Sequence, residues 1–405
     1  MKIVFISQWY YPEPDGRVSA LAEGLVEKGH EVTVITAFPN YPQGKIYDGY
    51  KVSLFQREAI NGVNVIRLPI FADHSHSVIK RMLNYLSFFL SLFFLAPWFI
   101  KKVDIFWSYT PFVVIPTIWC GLLFRKPYVL EITDIWPDTI NETGMINNKK
   151  ILQGLDRVAQ IGYRHAQAIT VQNPGFKTTL IARGVSQEKI HVIENWADEE
   201  VFYPLPYDNE LAEKYGLDGK FNITFAGNMG VAQDLSNIIK AAETCQKYEK
   251  IQFVFIGDGV CLSETKQQVQ EKKLSNVKFI ARKPLQDMAA LFAISDVLLV
   301  TLADKPIFEL TLPSKAQAYM ACEKPLLIAK RGDDIKFLKE EGCAVIVEPE
   351  NFSQLAAAVF QLYSLPVEKR DEMGKKSLSL YKQKYTKNIL LKKMEAVFFD
   401  VINSQ

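Results

Sequence analysis

A turn rich in polar residues leads into an apolar helix pattern and carries the side chains best suited to chemistry. Residues 308–325 read FELTLPSKAQAYMACEKP. Pro313 fits the first position of a helix, and Ser314 beside it can accept hydrogen bonds from the free N–H groups of the first turn. A lysine is unusual in that turn because the N-terminal end of a helix already carries positive partial charge. Lys315 therefore indicates that an anion binds at this helix start.

The anion is expected to be a diphosphate bound without a metal ion. The sequence contains no G-x-x-x-x-G-K-[ST] loop, no G-x-G-x-x-G motif after its first strand and no Asp-x-Asp pair. The absence of the two glycine-rich motifs argues against a kinase and a typical dehydrogenase, and the absence of the acidic pair argues against a site that holds a diphosphate through a metal ion. A metal-free site has to neutralise a diphosphate with N–H groups, helix N-termini and fixed cations. We predict that Lys315 counters the charge that grows as the diphosphate leaves.

Length and composition predict two domains in a reducing cytoplasm. The chain has 405 residues, of which 48% are hydrophobic and 12% aromatic, so it can bury large cores. Its formal net charge is +2 and no part is strongly basic, so nucleic acid is not an expected partner. The five cysteines are scattered, with no Cys-x-x-Cys pair and no His/Cys metal spacing. The apolar start, MKIVFIS, is too short for a signal peptide.

Short apolar strands alternate with helix patterns along most of the chain. KIVFIS begins the first series, and FNITFAGN restarts it in the second half. Such alternation is typical of doubly wound parallel sheets, so we predict an α/β fold with two Rossmann-like domains that face a cleft. The expected domains are residues 1–198 and 221–385, and the amphipathic helix pattern in 386–405 is expected to pack on the first domain.

Five places lie at the predicted carboxyl ends of strands, where such folds bind ligands. Besides the turn around Lys315, they are marked by Gly16 in PEPDGR, Asp134 in ITDIWPD, Asn228 in FAGNMG and Arg282 in IARKPL. Gly16 allows a ligand to approach the backbone closely. Singly, each place has a structural explanation, such as a turn glycine, a capping aspartate or a solvated arginine. Together they predict a ligand cleft.

One apolar segment interrupts the alternation. Residues 80–102, KRMLNYLSFFLSLFFLAPWFIKK, hold a nearly uncharged run between two basic pairs, and the length of the run is close to that of a bilayer core. Three interpretations are open: a buried helix that covers a sheet, a helix that lies in or dips into one leaflet, and a true span. A span is disfavoured because the strand VDIFWSY follows at once. A buried helix seldom needs to be apolar on all sides.

We therefore expect this segment to bind one leaflet, which places the protein on the cytoplasmic face of the cell membrane as a peripheral or monotopic protein. The basic ends suit anionic lipid heads or a lipid-linked diphosphate. The predicted membrane-binding residues are Lys80, Arg81, Phe89, Phe93, Trp98, Lys101 and Lys102.

The chain resembles a known enzyme family on stretches that follow one another in order: SQWYYPEPDGRVSALAEGLVEKGHEVTVIT, DIWPD, KIHVIENWAD, FAGNMGVAQDL and LPSKAQAYMACEKPLL. It is similar to the GT-B-fold, family-4 retaining glycosyltransferases, and within them to the bacterial polysaccharide group that includes N-acetyl-L-fucosamine and colanic-acid-type transferases. The resemblance implies a metal-independent hexosyl or N-acetylhexosaminyl transferase without a cofactor. It also implies a nucleotide-sugar donor, a UDP-sugar, on the second domain and a polyprenyl-diphosphate-linked saccharide acceptor on the first.

The Glu-x7-Glu element of this family falls in the turn around Lys315. Glu309 lies at or one place from the first glutamate, which contacts the donor sugar, whereas Ala318 stands where the second glutamate binds ribose. Asp134 matches a position near the reacting centre, and Thr133 replaces the histidine that many relatives have before it. The resemblance thus implies that Glu309 holds donor hydroxyls and that Asp134 orients the acceptor hydroxyl or assists its proton transfer.

The residues that grip the diphosphate depart from the family pattern. Where relatives often carry Arg and Lys on the first loop of the second domain, this chain has Asn228 and Gln233. That loss gives Lys315, Lys305 and Arg282 more weight. The predicted catalytic residues are Asp134, Glu309 and Lys315, and the predicted donor-binding residues are Gly16, Asn228, Arg282, Lys305, Thr311, Leu312 and Ser314.

Two other functions fit parts of the sequence. One is a nucleotide-sugar epimerase of the same fold, against which the apolar helix counts because a soluble epimerase does not need a membrane. The other is a non-catalytic, membrane-surface subunit of a polysaccharide assembly complex, which the residues at Ala318, Asn228 and Gln233 favour. A panel of nucleotide sugars separates the three: slow donor hydrolysis indicates transfer, epimer formation indicates the epimerase, and absence of binding indicates the subunit.

Overall fold

Two sheets organise the chain in the computed structural model, which describes residues 1–14, 16–75, 77–109, 111–138 and 148–404. Each sheet belongs to one of two units. The first unit consists of Met1–Gln172, Phe176–Ile193 and Leu391–Gln405, and the second consists of Asn173–Gly175 and Glu194–Leu390.

The first unit alternates strands with helices around an eight-stranded sheet. Its elements are β1 (Lys2–Ile6), α1 (Gly16–Glu27), β2 (Glu31–Ala37), β3 (Gln56–Ile60), β4 (Val63–Leu68), α2 (Val78–Leu95), β5 (Ile105–Tyr109), α3 (Val114–Phe124), β6 (Tyr128–Ile132), α4 (Lys149–His165), β7 (Ala168–Val171), α5 (Pro174–Ala182, whose first two residues belong to the second unit) and β8 (Ile190–Val192). The strand order is β3-β4-β2-β1-β5-β6-β7-β8. All neighbouring strands run parallel except β3 and β4.

The antiparallel β3–β4 pair is a departure from the predicted parallel arrangement. Its two-residue turn is Asn61-Gly62, with φ angles of 49° and 81°. Positive φ at both central residues is the geometry of the tight hairpin turn that Asn-Gly favours. The letters NG in REAINGVNVIRL are therefore the sequence signal for this hairpin, which the predicted alternation missed.

The second unit is built around a six-stranded sheet in which all neighbouring strands are parallel. Its elements are α6 (Asn209–Tyr215), β9 (Phe221–Asn228), α7 (Leu235–Cys245), β10 (Ile251–Asp258), α8 (Leu262–Glu271), β11 (Val277–Ala281), α9 (Met288–Ala293), β12 (Val297–Thr301), α10 (Pro306–Glu309), α11 (Lys315–Ala321), β13 (Leu326–Ala329), α12 (Lys336–Glu340), β14 (Ala344–Val347), α13 (Phe352–Ser364) and α14 (Val367–Lys384). The strand order is β11-β10-β9-β12-β13-β14, and separate apolar cores contain alternate residues of its strands. The doubly wound α/β fold predicted from the sequence is confirmed.

The last helix, α15 (Lys387–Asn403), contributes its residues from Leu391 onwards to the first unit. Leu391 packs against Gly24 of α1, where an added Cβ would lie 2.4 Å from the leucine Cδ1. A hydrogen bond of 2.6 Å joins Glu395 Oε1 to His30 Nε2. The C-terminal helix is thus attached to α1 and to the residue that precedes β2.

Each sheet has a position where the strand order reverses. It lies between β1 and β5 in the first sheet and between β9 and β12 in the second. At such a position the connections from the two strands leave on opposite faces of the sheet, so a crevice opens at their carboxyl ends. Each unit therefore has one place where its fold favours a ligand site.

Candidate functional site

The loops that follow β9 and β12 are bonded to each other at the reversal of the second sheet. Thr301, which ends β12, donates its hydroxyl to the backbone oxygen of Gln233 over 2.6 Å. The backbone N–H of Ala303 donates to the carbonyl of Ala232 over 2.9 Å. These bonds fix the segment after Asn228 against the end of the neighbouring strand.

Lys315, the first residue of α11, points to this same reversal. Its Nζ donates to Gln233 Oε1 over 3.0 Å and lies 3.9 Å from the centre of the Phe225 ring in β9. No described carboxylate forms an ion pair with it. Burial lowers the pKa of Lys315 to about 7, because a cation loses hydration there without gaining a negative partner. An anion would supply that partner.

The helix start differs from the prediction made for Pro313 and Ser314. The helix begins at Lys315, and Ser314 occupies the N-cap with φ −57° and ψ −21° and without a side-chain capping bond. Pro313 therefore precedes the cap, and its predicted place at the first helical position was wrong. The Ser314 side chain is exposed, so its hydroxyl is open to a ligand. Since α11 has only 7 residues, the lysine charge contributes more to anion binding than the helix dipole.

Glycine backbone brings the ends of β9 and β10 into direct contact beside Lys315. Gly257 has a φ of +140°, and an added Cβ there would lie 2.1 Å from the carbonyl oxygen of Gly227. A Cβ on Gly227, whose φ is +125°, would lie 3.6 Å from Lys315 Nζ. Any side chain at Gly257 would separate the two strand ends, whereas glycine leaves a bare backbone surface next to the cation. Sequence reasoning gave Gly257 no site role, although the letters GDG after a strand were a signal for it.

The backbone of Glu309 lies near a buried ion pair, Lys330–Asp334, that was not predicted from the sequence. Glu309 ends α10 and is half-buried. Lys330 Nζ lies 2.6 Å from Asp334 Oδ1, and both side chains are almost fully buried. An added Cβ on Gly332 would come within 2.3 Å of the Glu309 carbonyl oxygen. Burial lowers the pKa of Lys330, and attraction to Asp334 and Glu309 opposes that change.

The other predicted donor-binding residues lie at varied distances from this centre. Leu312 is buried, and its N–H donates to Asn173 Oδ1 over 3.1 Å, while Thr311 beside it is half-buried and Lys305 at the N-cap of α10 is exposed. Arg282 is exposed and follows the edge strand β11, so β10 stands between it and β9. The structure thus gathers Lys315, Asn228 and Gln233 near one reversal and puts Arg282 about 10 Å to the side, at two strand spacings.

In the first unit, Gly16 and Asp134 follow two different strands. Gly16 begins α1, and Arg17 next to it forms an almost fully buried ion pair with Glu131 in β6, with Nη2 and Oε1 2.6 Å apart. Glu131 also accepts a hydrogen bond from Thr170 in β7. This pair fastens the start of α1 to the end of β6, three residues before Asp134. Sequence reasoning missed it, because Arg17 and Glu131 are far apart in the chain.

Asp134 is a carboxylate with no partner among the described side chains. It lies just after β6, keeps an exposed surface and accepts no hydrogen bond from any described residue. The surrounding protein raises its pKa above the usual value through desolvation. An unpaired carboxyl at a strand end can orient a hydroxyl or take up a proton.

By contrast, Glu13 in the loop after β1 has a structural role. It is buried and accepts hydrogen bonds of 2.8 Å from the N–H groups of Asn40 and Tyr41, and one of 3.2 Å from that of Tyr10. Burial raises its pKa to about 7, and these hydrogen bonds oppose the rise. Glu13 therefore joins the loops after β1 and β2 from a buried position.

Helix α2 has one face in the core of the first unit and the other in solvent. Asn84, Phe88, Leu92 and Ala96 recur at four-residue intervals and are buried. Asn84 accepts a hydrogen bond from Gln8 Nε2 over 2.8 Å and donates to the carbonyl of Phe71 over 2.8 Å. Within the described chain, Ile79–Phe99 is the one segment long and apolar enough to cross a membrane, by length and composition alone, and 22% of it is buried.

The predicted membrane-binding residues lie on or beside the solvent face to different extents. Trp98 is 82% exposed. Phe89, Phe93 and Arg81 are half-buried, and Lys80, Lys101 and Lys102 are exposed. The most exposed apolar residues of the segment are Ile79, Met82, Leu83, Leu86, Leu90, Phe94 and Trp98. The segment carries apolar residues on all sides, as expected from its composition, but only one side of it faces solvent.

Two family models match this chain, and together they cover most of it. The model described as "Glycosyl transferase 4-like domain" matches residues 15–196, and the model described as "Glycosyl transferases group 1" matches residues 208–379.

Among curated relatives, the "Putative colanic acid biosynthesis glycosyl transferase WcaI" of Escherichia coli (strain K12) is 28% identical over 386 residues, which are 90% of this chain and 93% of the relative. The "Probable glycosyltransferase WbjE" of Pseudomonas aeruginosa is 28% identical over 273 residues, which are 66% of this chain and 67% of the relative. Among solved structures, Anabaena Alr3699/HepE in complex with UDP superimposes with a TM-score of 0.75 at 15% identity, covering 99% of this chain and 100% of that one. This last likeness shows the fold.

Proposed function

The chain belongs to the GT-B-fold, family-4 glycosyltransferases, and from this premise we propose that it moves a hexosyl or N-acetylhexosaminyl group from a UDP-sugar to a polyprenyl-diphosphate-linked saccharide. The proposed reaction retains the anomeric configuration, needs no metal ion and serves cell-surface polysaccharide biosynthesis. The relative named for colanic acid biosynthesis supports the pathway class. The UDP complex of the structural neighbour supports the donor class.

The observation that carries the donor proposal is the unpaired cation at the reversal of the second sheet. Lys315 is held by Gln233 and Phe225 with no described carboxylate paired to it. Bare backbone at Gly227 lies next to it. A diphosphate fits both features, since its charge pairs with the lysine and its oxygens can approach the backbone closely where no side chain intervenes. Asn228 and Gln233 stand where the family resemblance implies cations, so Lys315 is expected to carry more of this binding here.

The chain's residues divide the proposed reaction among them. Glu309 holds hydroxyls of the donor sugar, and Ser314 and Lys315 stabilise the diphosphate as its bond to the sugar breaks. The departing phosphate oxygen accepts the proton of the attacking hydroxyl, so no strong protein base is needed. Asp134, in the first unit, orients that hydroxyl or assists its proton transfer. Arg17 and Glu131 keep the strand end that carries Asp134 in place.

The test uses the purified protein with UDP-, GDP- and dTDP-sugars and a synthetic polyprenyl-diphosphate-linked saccharide in excess chelator. The expected result is transfer from a UDP-sugar, with an anomeric proton coupling in the product that matches the donor configuration. An epimer of the donor as the product would assign the chain to the epimerases. Absence of nucleotide-sugar binding would favour the alternative that the chain is a non-catalytic subunit of a polysaccharide assembly complex.

Binding of UDP at pH 8 is expected to take up a proton. Lys315 has a pKa of about 7 in the free protein, so it is mostly neutral at pH 8, and an adjacent diphosphate raises its pKa by favouring the charged form. Uptake approaches about one proton at pH 8 and decreases towards pH 6, where the lysine is already charged. Calorimetry in buffers of different ionisation enthalpy measures it. Equal uptake by Lys315→Ala would assign the proton to another group.

Membrane association through α2 is also part of the proposal, and its solvent face supplies the variants. Leu86→Glu with Phe94→Glu is expected to reduce binding to anionic vesicles at least about 100-fold, because two apolar side chains contribute roughly 1.5–3 kcal/mol each on burial. Phe360→Glu with Val367→Glu, at exposed apolar positions of the second unit, is the matched control. Sedimentation with vesicles measures binding, and UDP affinity is expected to stay the same. A double variant that still sediments like the wild type would show that α2 does not bind lipid.

A further inference from the structure

We propose that the last turn of α3 is a second membrane-inserting element, which joins α2 in a two-helix surface that lies in the plane of an anionic bilayer. This inference rests on the membrane association proposed above and names the part of the chain that completes it. From the sequence, membrane binding was expected of residues 80–102 alone.

The last turn of α3 exposes apolar side chains that the described residues of the first unit leave uncovered. Leu122 is 68% exposed and Leu123 is 50% exposed, and Trp119 one turn earlier is also exposed. The opposite side of the helix is in the core, where Cys120 is buried and Thr117 bonds to the carbonyl of Val113. Single exposed leucines are common on soluble proteins, but a contiguous exposed apolar surface indicates an interaction site.

Aromatic stacking makes the exposed sides of α2 and α3 one surface. The ring of Trp119 stacks on Phe93 of α2 with centroids 5.3 Å apart and planes 17° apart. Phe93 in turn meets Phe94 edge-on at 5.3 Å. The exposed row of α2 therefore continues across Trp119 to the two leucines of α3.

The charges around this surface favour a negatively charged binding partner. Residues 77–130 contain six basic residues and one acidic residue. The acidic residue, Asp104, already accepts the N–H of Lys2 over 2.7 Å. Arg125 and Lys126 directly follow the last turn of α3, as Lys101 and Lys102 follow the α2 segment. Apolar side chains next to basic pairs match a bilayer, whose acyl region accepts the first and whose anionic head groups attract the second.

The packing of the two helices requires that they lie along the membrane plane. The inner face of α2 is held by the hydrogen bonds of Asn84 and by buried Phe88 and Leu92, so α2 cannot leave the unit to be surrounded by lipid. The 11 residues of α3 extend about 16 Å, about half of the hydrocarbon core. Each helix can therefore present one face to a leaflet, and neither can span the bilayer.

The experiment compares vesicle binding of the full-length wild type, Leu122→Glu/Leu123→Glu, Arg125→Gln/Lys126→Gln and the control Phe352→Glu/Val367→Glu. Against vesicles with one-third phosphatidylglycerol, the leucine variant is expected to bind at least 10-fold more weakly than the wild type, and the control is expected to bind equally. The basic-pair variant is expected to lose about 10-fold on these vesicles and nothing on pure phosphatidylcholine. Thermal melting and UDP binding check that the variants fold.

A second measurement uses Trp119→Phe, a substitution that keeps an aromatic side chain on the helix surface. Brominated lipids are expected to quench more fluorescence in the wild type than in Trp119→Phe, because Trp119 enters the leaflet. If the wild type does not bind vesicles, the membrane association proposed above fails as well. If the wild type binds and both the leucine variant and Trp119→Phe match it, α2 alone inserts and this inference is wrong. If the leucine variant instead turns a dimer into a monomer with unchanged vesicle binding, the surface is a contact between two copies of the chain.

Discussion

Lys315→Ala is expected to weaken UDP binding and slow sugar transfer together, by about 2–4 kcal/mol in the transition state, which is roughly 30- to 1,000-fold. Lys315 is the one cation that the structure places beside Gln233 and Phe225 at the reversal of the second sheet among the described residues. Its positive charge is poorly compensated in the free protein, as its lowered pKa shows. Lys315 is therefore expected to stabilise the diphosphate more strongly in the transition state, where negative charge develops on it, than in the bound donor.

Conservative and distant substitutions separate this role from a general effect of charge. Lys315→Arg is expected to recover only part of the activity, because a planar fork replaces a compact ammonium group in a confined position. Lys240→Ala, at an exposed lysine of α7 in the same unit, is expected to behave as wild type. Titration with UDP in excess chelator provides the measurement. Equal affinities of wild type and Lys315→Ala, or binding that requires a divalent metal, would remove Lys315 from the site.

Asp134→Asn is expected to lower turnover by about 100-fold with little change in UDP affinity, because the substitution keeps the shape of the side chain and removes its acid–base capacity. The structure favours this outcome over helix capping, since no described N–H group donates to Asp134. The raised pKa of its carboxyl also suits proton transfer closer to neutral pH than an ordinary aspartate allows.

The neighbouring aspartate of the same DIWPD stretch is the matched control. Asp138 Oδ2 accepts from Arg183 Nη2 over 2.5 Å, so its charge is already engaged. Asp138→Asn is expected to change turnover by no more than about the effect of a surface ion pair, within 1 kcal/mol. Steady-state kinetics with donor and acceptor varied separately give both values. Similar losses in the two variants would indicate a structural role for the whole stretch, and an unaltered Asp134→Asn turnover would exclude the catalytic role.

The sequence by itself determined the class of fold and the places where a ligand site can form. Alternating strands and helices with buried strand cores have few packed solutions, and parallel doubly wound sheets are the common one. Once that class is predicted, the residues after strands are known to lie along one edge of each sheet. Gly16, Asp134, Asn228 and Lys315 were selected as candidates in this way, and Lys315 was also marked by its unfavourable place at a helix start.

Local rules were less reliable where a turn had to fit its neighbours. The preference of proline for the first helical position predicted a helix start at Pro313, two residues before the observed start at Lys315. In the structure the N–H of Leu312, just before this proline, donates to Asn173 Oδ1, a side chain that is distant in the sequence. The β3–β4 hairpin shows the opposite case, since Asn61-Gly62 carried a local signal that the expectation of a parallel sheet overrode.

Only the tertiary structure decided which faces are buried and which charges meet. The α2 segment is apolar on both sides, so its periodicity could not tell that Leu92 is in the core while Phe94 faces solvent. The sequence could not pair Arg17 with Glu131, which are 114 positions apart, or place Gln233 on Lys315, which lies 82 positions later. The physical reason is that strand order determines which chain ends become neighbours. A buried charge or an exposed apolar face is identified only after those neighbours are known.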